Sequence, residues 1–225
     1  MDIDNNTVSA ENQVHKSNYV GIFCRGGDLR VLFVGNSITR HEPNIGIGWD
    51  RDWGMAASTK DLDYVHTAVR LLDEEYGKVD YCITNCGRWE LSYFDDGMLS
   101  QWSEARDFSA DIVVLRLGEN INKAKEHFAT HNISTHYKRM AEFFMGKGAL
   151  VIATGLFWRN DEIERAIEAA AEELGAVYLP LWDLGEADEN MALGLFSNPG
   201  VAMHPGDIGM ARIAERIVSA IKKAK

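Results

Sequence analysis

The stretch Val31-Leu32-Phe33-Val34-Gly35-Asn36-Ser37-Ile38-Thr39 decides the fold class. Its four consecutive apolar residues, two of them β-branched, read as a strand covered on both faces. The strand stops at Gly35 and a hydroxyl follows two residues later, at Ser37. In an open α/β sheet the carboxyl ends of the strands border the ligand crevice, so Ser37 is presented to it.

Further strands are expected over 79–84, 111–117, 149–154 and 176–179. Helical periodicity separates them. Leu62, Val65, Val69, Leu72 and Tyr76 recur at helical spacing, opened by a capping-box-like Ser58 and Asp61 and closed at Gly77. Ile133, Tyr137, Met140 and Phe144 mark a helix within 122–146. Ile163, Ile167, Ala170 and Leu174 mark another, stopped by Gly175, and Met210, Ile213, Ile217 and Ile221 the last. Alternating strands and helices imply a parallel sheet with helices on both faces. The expected fold is a three-layer α/β/α sandwich on about five strands in the flavodoxin-like order 2-1-3-4-5. Residues 1–28 read as an N-terminal arm, with Tyr19–Phe23 able to dock as an edge strand or core plug. Residues 29–225 read as one domain.

Composition narrows the function classes. The 225 residues carry 46% hydrophobic and 25% charged side chains, ordinary for a globular domain. A formal net charge of -11 argues against nucleic acid, which needs clustered Lys and Arg. Cys24, Cys82 and Cys86 read as reduced thiols, and the polar start, without an apolar run, reads as cytoplasmic, with no membrane partner. His127, His131 and His136 lack the carboxylate or further His of an HExxH-type metal site and read as a solvated helix face. Gly46-Ile47-Gly48 is no dinucleotide fingerprint, Thr39 denies the α/β-hydrolase elbow its final Gly, and no Walker A sequence occurs.

The strand order places the ends carrying Ser37, Gly87 and Asn120 around one crevice. His204, in Val201-Ala202-Met203-His204-Pro205, precedes the final helix and can reach back to Ser37. A nucleophile, a base and convergent N–H groups are what acyl transfer requires.

These residues resemble the SGNH (GDSL-like) hydrolases. The family's Gly-Asp-Ser-(Ile/Leu)-Thr compares with Gly35-Asn36-Ser37-Ile38-Thr39, its Gly-x-Asn-Asp with Gly118-Glu119-Asn120-Ile121, and its Asp-x-x-His with Val201-Ala202-Met203-His204. The resemblance runs over roughly residues 30–222. It implies a serine esterase acting on a small ester, such as an O-acetylated carbohydrate, with no metal or organic cofactor. Ser37 is the implied nucleophile and His204 the base. Ser37, Gly87 and Asn120 are the implied oxyanion donors, and Asn36, Trp89 and Glu119 are expected at the substrate. The family's Asn-x-Gly-x-x-Gly is met only by Asn85-Cys86-Gly87. Its last Gly falls on Glu90, so the donor is the N–H of Gly87 or that of Glu90, with Gly87 preferred. The catalytic Asp falls on Val201. A backbone carbonyl from the 197–202 loop is then expected against the His204 ring, with Glu119 and Asp183 as carboxylate alternatives. Trp49, Trp53, Trp89 and Trp158 lie beyond strand ends and are candidates for a pocket rim. The competing classes are a carbohydrate- or phosphate-binding module on the same fold and a flavodoxin-like electron carrier.

Overall fold

The computed structural model describes residues 18–146 and 148–225. Its six strands are β1 (Tyr19–Phe23), β2 (Leu29–Gly35), β3 (Val79–Asn85), β4 (Ile112–Arg116), β5 (Leu150–Thr154) and β6 (Val177–Leu179). They form one sheet in the order β1-β3-β2-β4-β5-β6. The five strands from β2 onward are parallel in the expected 2-1-3-4-5 arrangement. The sixth is β1, an antiparallel edge strand on β3. Residues 19–23 of the expected arm thus belong to the sheet, so the boundary at 28/29 does not mark where it begins. Residues 1–17 of that arm lie outside the described residues.

The helices are α1 (Tyr64–Tyr76), α2 (Gly87–Leu91), α3 (Ser103–Asp107), α4 (Ile133–Phe144), α5 (Asp161–Leu174), α6 (Pro199–Ala202) and α7 (Asp207–Ala224). The four apolar residues of β2 divide between two cores by simple alternation. Val31 and Phe33 pack with α1 and α7 on one face. Leu32 and Val34 pack with α4 and α5 on the other. All four are fully buried, and each contributes about 1.5–3 kcal/mol by leaving water.

One helix start differs from expectation. Asp63, not Ser58, caps α1, its side chain accepting from the His66 N–H. Ser58 instead donates through its N–H and hydroxyl to the Asp207 carboxylate, at 2.8 and 2.7 Å, tying the long β2–α1 connection to the start of α7. The partner lies 149 residues away, and no local pattern reveals it.

The register aligns the strand ends. Gly35 pairs with Asn85 on one side and Arg116 on the other. At Gly35 a Cβ would lie 1.8 Å from Thr39 Oγ1, so only glycine lets the chain fold back so tightly after β2. Thr39 is held in turn by the Tyr64 hydroxyl at 2.8 Å. Gly118, two residues beyond β4, turns the chain at φ 140°, a conformation L side chains rarely adopt, and a Cβ there would strike Leu156. Both turns deliver polar residues to the same sheet edge.

Candidate active site

Ser37 leaves β2 on that edge, half-buried, with its carbonyl accepting from Met55 N–H at 2.9 Å. His204 comes from the opposite end of the chain. Asn198 caps α6 by accepting from Val201 N–H at 3.0 Å, and Pro199 opens the helix. The His204 carbonyl then accepts from Ala192 N–H, and Gly206 N–H donates to Asn190, pinning the loop on both sides of the histidine. Ser37 Oγ lies 2.9 Å from His204 Nε2. On the far side of the ring, Nδ1 lies 2.7 Å from the Gly200 carbonyl. A carbonyl can only accept, so Nδ1 carries the proton and Nε2 is left free to take one from Ser37.

The carboxylate alternatives are occupied elsewhere. Asp183 forms a two-pronged pair with Arg216. Glu119 pairs with Arg116. Val201 is buried among Ile47, Trp49, Met55, Ala56 and Ala192. Trp158 stands edge-on to the His204 ring at 5.0 Å, its indole N–H donating to the Met203 carbonyl at 3.2 Å. Burial pushes the imidazole down to about 3, helped by the charges of Arg116 and Lys123 and opposed by the Gly200 bond.

Ser37 and His204 open onto a cavity of about 220 Å³, below the ~300–1,000 Å³ common for drug-sized ligands. Ile47, Met55, Trp158, Val201 and Met203 supply its apolar wall, and Asn120, Glu119, Lys123 and Asn198 its polar one. Of the four candidate rim tryptophans, Trp158 alone is among the lining residues. Trp49 is fully buried against Trp53 and Phe196.

Three expected site residues do not face this cavity. The Gly87 N–H donates to Asn85 Oδ1 at 2.8 Å inside the turn that starts α2, so it is spent as an oxyanion donor. Trp89 is fully buried against Tyr93 and Tyr137, a core residue because α2 turns it inward. Asn36 is buried with both ends of its amide occupied. Its Oδ1 accepts from Ile38 N–H and Arg116 Nη1, and its Nδ2 donates to Glu90 at 3.1 Å and Glu119 at 2.7 Å. Glu119 does line the cavity, but its carboxylate already accepts from Arg116, Asn36 and Phe157 N–H.

Arg116 and Lys123 organise the site without any signal recognised in the sequence, and Glu90, read there only as an alternative backbone donor, does so through its carboxylate. Glu90 is fully buried and its carboxylate accepts four N–H groups. Asn36 Nδ2, Gly118 N and Asn120 N reach Oε1 at 3.1, 2.6 and 3.3 Å, and Asn120 Nδ2 reaches Oε2 at 2.6 Å. Burial and the nearby Glu119 charge push this carboxyl up, while the donors pull it back. Asn120 therefore gives one of its two amide hydrogens to Glu90 and keeps the second. Its Oδ1 accepts from Lys123 Nζ at 2.8 Å, which fixes which way the amide faces. A lone Arg116 ending the apolar run of β4 was the available signal, since a buried guanidinium demands buried acceptors.

The expected solvated histidine face is instead an aromatic cluster. Phe94 packs on His127 and His131, and His136 is buried with Nδ1 2.9 Å from Asp96. Among the described residues no group of His, Cys, Asp and Glu is arranged to hold a metal ion. Nor is any helix there long and apolar enough to cross a membrane.

No family model matches this chain. No curated protein matches it either. Among solved structures, it is similar to the salicylyl-acyltransferase SsfX3 of a tetracycline biosynthetic pathway, at 13% identity and a TM-score of 0.53 over 89% of this chain. It is also similar to the Bacillus subtilis protein YxiM, at 17% identity and a TM-score of 0.57 over 87% of this chain. The match spans 56% of each of those proteins, little more than half their length. At such identities the likeness is one of architecture: the chain shares a three-layer α/β/α sandwich fold with these proteins.

Proposed function

We propose that this chain is a serine acylhydrolase of the SGNH type, cleaving a small ester through an acyl-enzyme on Ser37 with His204 as general base. The observation that carries the reading is the relay from Ser37 Oγ through the His204 ring to the Gly200 carbonyl, at 2.9 and 2.7 Å. The first distance lies within the reach a general base needs, and the second orients the ring for it.

The steps follow from that geometry. Ser37 Oγ attacks the ester carbonyl as its proton passes to His204 Nε2. The carbonyl C–O bond to the alcohol breaks, and the imidazolium returns the proton to the departing alkoxide. Water, deprotonated by the same nitrogen, then attacks the acyl carbonyl; the bond to Ser37 Oγ breaks, the imidazolium returns its proton to Oγ, and the acid is released. A second alcohol in place of water would make the protein an acyltransferase, the activity after which the salicylyl-acyltransferase SsfX3 is called. The developing oxyanion is served by the Ser37 N–H and the second amide hydrogen of Asn120, with Gly87 withdrawn from the set. Gly200 orients the histidine without supplying a full negative charge to the imidazolium, so a modest rate is expected.

A serine-directed fluorophosphonate tests the reading. It should label Ser37, and Ser37→Ala should lose both label and turnover while keeping its melting temperature. Turnover of small aryl esters that survives in Ser37→Ala would overturn the proposal.

A further inference from the structure

The cavity beside Ser37 holds a cation whose role the acyl-enzyme chemistry does not use. Lys123 lines the wall next to Asn120, in a short 3-10 turn over Ile121–His127. Its ammonium has three hydrogens, and among the described residues the acceptor it meets is Asn120 Oδ1 at 2.8 Å. No carboxylate lies within ion-pair distance of it among the described residues. Nearby, Glu119 is paired by Arg116, while Glu90, held by four neutral N–H donors, attracts the ammonium from beyond ion-pair distance. The same cavity is also lined by the apolar Ile47, Met55, Trp158 and Val201.

We infer that Lys123 selects esters carrying an anionic group close to the scissile carbonyl, so that the substrate is a small, partly apolar ester bearing a carboxylate or phosphate. This rests on the serine acylhydrolase reading. Two ammonium hydrogens have no acceptor among the described residues and can receive an anion, and Asn120 holds the ammonium close to the reacting centre. The charge of Lys123 is already felt at His204, lowering its proton affinity. The overall charge of -11 does not prevent such recognition, because fields beyond about 8 Å are screened at physiological salt and the short-range contact decides. An ester filling the apolar wall would also displace water from the ammonium, which strengthens the pairing.

Three esters separate the possibilities: neutral phenyl acetate, 3-acetoxybenzoate with its anion on the leaving alcohol, and monophenyl glutarate with its anion on the acyl chain. At least one anionic ester should exceed phenyl acetate in kcat/KM by on the order of tenfold at low salt. That ratio should collapse toward unity in Lys123→Met, invert in Lys123→Glu, and shrink as salt rises. A ratio unchanged in Lys123→Met, or a wild-type preference for phenyl acetate, overturns the inference. So does an equal fall on all three esters, which would leave Lys123 only the task of holding Asn120. Failure of the esterase reading is told apart by calorimetric titration of monophenyl glutarate into Ser37→Ala. Binding there that is lost in the Ser37→Ala/Lys123→Met double variant supports anion recognition even without turnover. Equal binding by both, or by neither, refutes it.

Discussion

Glu90→Gln changes one atom of a fully buried side chain, and the four donors around it make the outcome calculable. Oε1 serves three N–H groups and Oε2 one, so the glutamine oxygen takes the three-donor side. Its NH₂ then faces Asn120 Nδ2, donor against donor, at a site where the native contact is 2.6 Å. A hydrogen bond to a charged acceptor contributes about 1.5–3 kcal/mol, and the three that survive weaken when the acceptor becomes neutral. Relief of the repulsion from Glu119 and of the buried charge offsets part of this, leaving a loss of roughly 2 kcal/mol. For a chain of this size that lowers the melting temperature by about 4–8 °C. Asn120 can escape by flipping its amide, but it then turns Nδ2 onto Lys123 Nζ, now 2.8 Å from Oδ1. With Asn120 displaced, one oxyanion donor is lost, and kcat on a small aryl ester should fall on the order of 10²-fold with KM little changed. Adding Lys123→Met to Glu90→Gln frees the flip and should recover part of the lost stability, a coupling that a double-mutant cycle on melting temperatures reads directly. Losing an interior hydrogen bond to a charged group has a larger effect than measurement error, so melting within about 1 °C of wild type together with kcat within about twofold would refute the four-donor argument.

Two further predictions concern the histidine and its missing acid. Because folding lowers the His204 pKa, the neutral base persists well into acid, and the acid limb of kcat/KM should lie far below pH 6.5, with no loss between pH 8 and 6. By linkage the unfolded chain binds the extra proton between about 6.5 and 3, so this group's contribution is complete above pH 6.5 and declines as the pH falls. An acid limb at or above 6.5 would show that the ring is not desolvated as described. Val201→Asp, which introduces the acid of the Asp-x-x-His pattern that this chain resembles, should not raise kcat, because the Gly200 carbonyl already occupies Nδ1 and the new carboxylate enters the cluster of Ile47, Trp49 and Met55. It should destabilise at pH 7 by about 3–5 kcal/mol, from lost apolar burial plus a raised carboxyl pKa, and less at pH 5, measured by denaturant unfolding. A gain in kcat with unchanged stability would mean that the carboxylate reaches the ring.

The strand runs and their order were legible because the pattern that identifies them is local. Apolar stretches such as Val31–Val34 cannot be placed anywhere but between two helical layers, and right-handed crossovers leave few orders. The meeting of Ser37 with His204 was legible from the order of the motifs rather than from strand adjacency, since β4 and β5 stand between β2 and β6 and the long segment after β6 carries the histidine back to Ser37. What could not be read is set by distant partners. Ser58 looks like a cap until Asp207 claims it. Trp89 looks like a rim residue because it follows a strand end, but a single turn of helix rotates it into the core. Gly87 looks like a donor until the Asn85 side chain takes its N–H. In each case the local pattern indicated the right neighbourhood and tertiary contacts set the orientation.

The departures from the SGNH pattern around Ser37 become one structural unit when taken together. Glycine at position 90 would leave the N–H groups of Gly118 and Asn120 without the acceptor that now holds them. Placing Glu there satisfies them but buries a second carboxylate beside Glu119. Aspartate at position 36 would then make three carboxylates in one buried space. Asn36 is instead the one side chain of that size that donates to both carboxylates and accepts from Arg116 at once. Arg116, fully buried at the end of β4, supplies the balancing charge. Asn36 for Asp and Glu90 for Gly are therefore mutually dependent. Asn36→Asp alone forfeits two donated bonds and adds a charge, whereas Asn36→Asp combined with Glu90→Gly removes a carboxylate for the one it introduces. The double variant should be more stable than the sum of its parts, and strict additivity would mean that the two positions do not share a network.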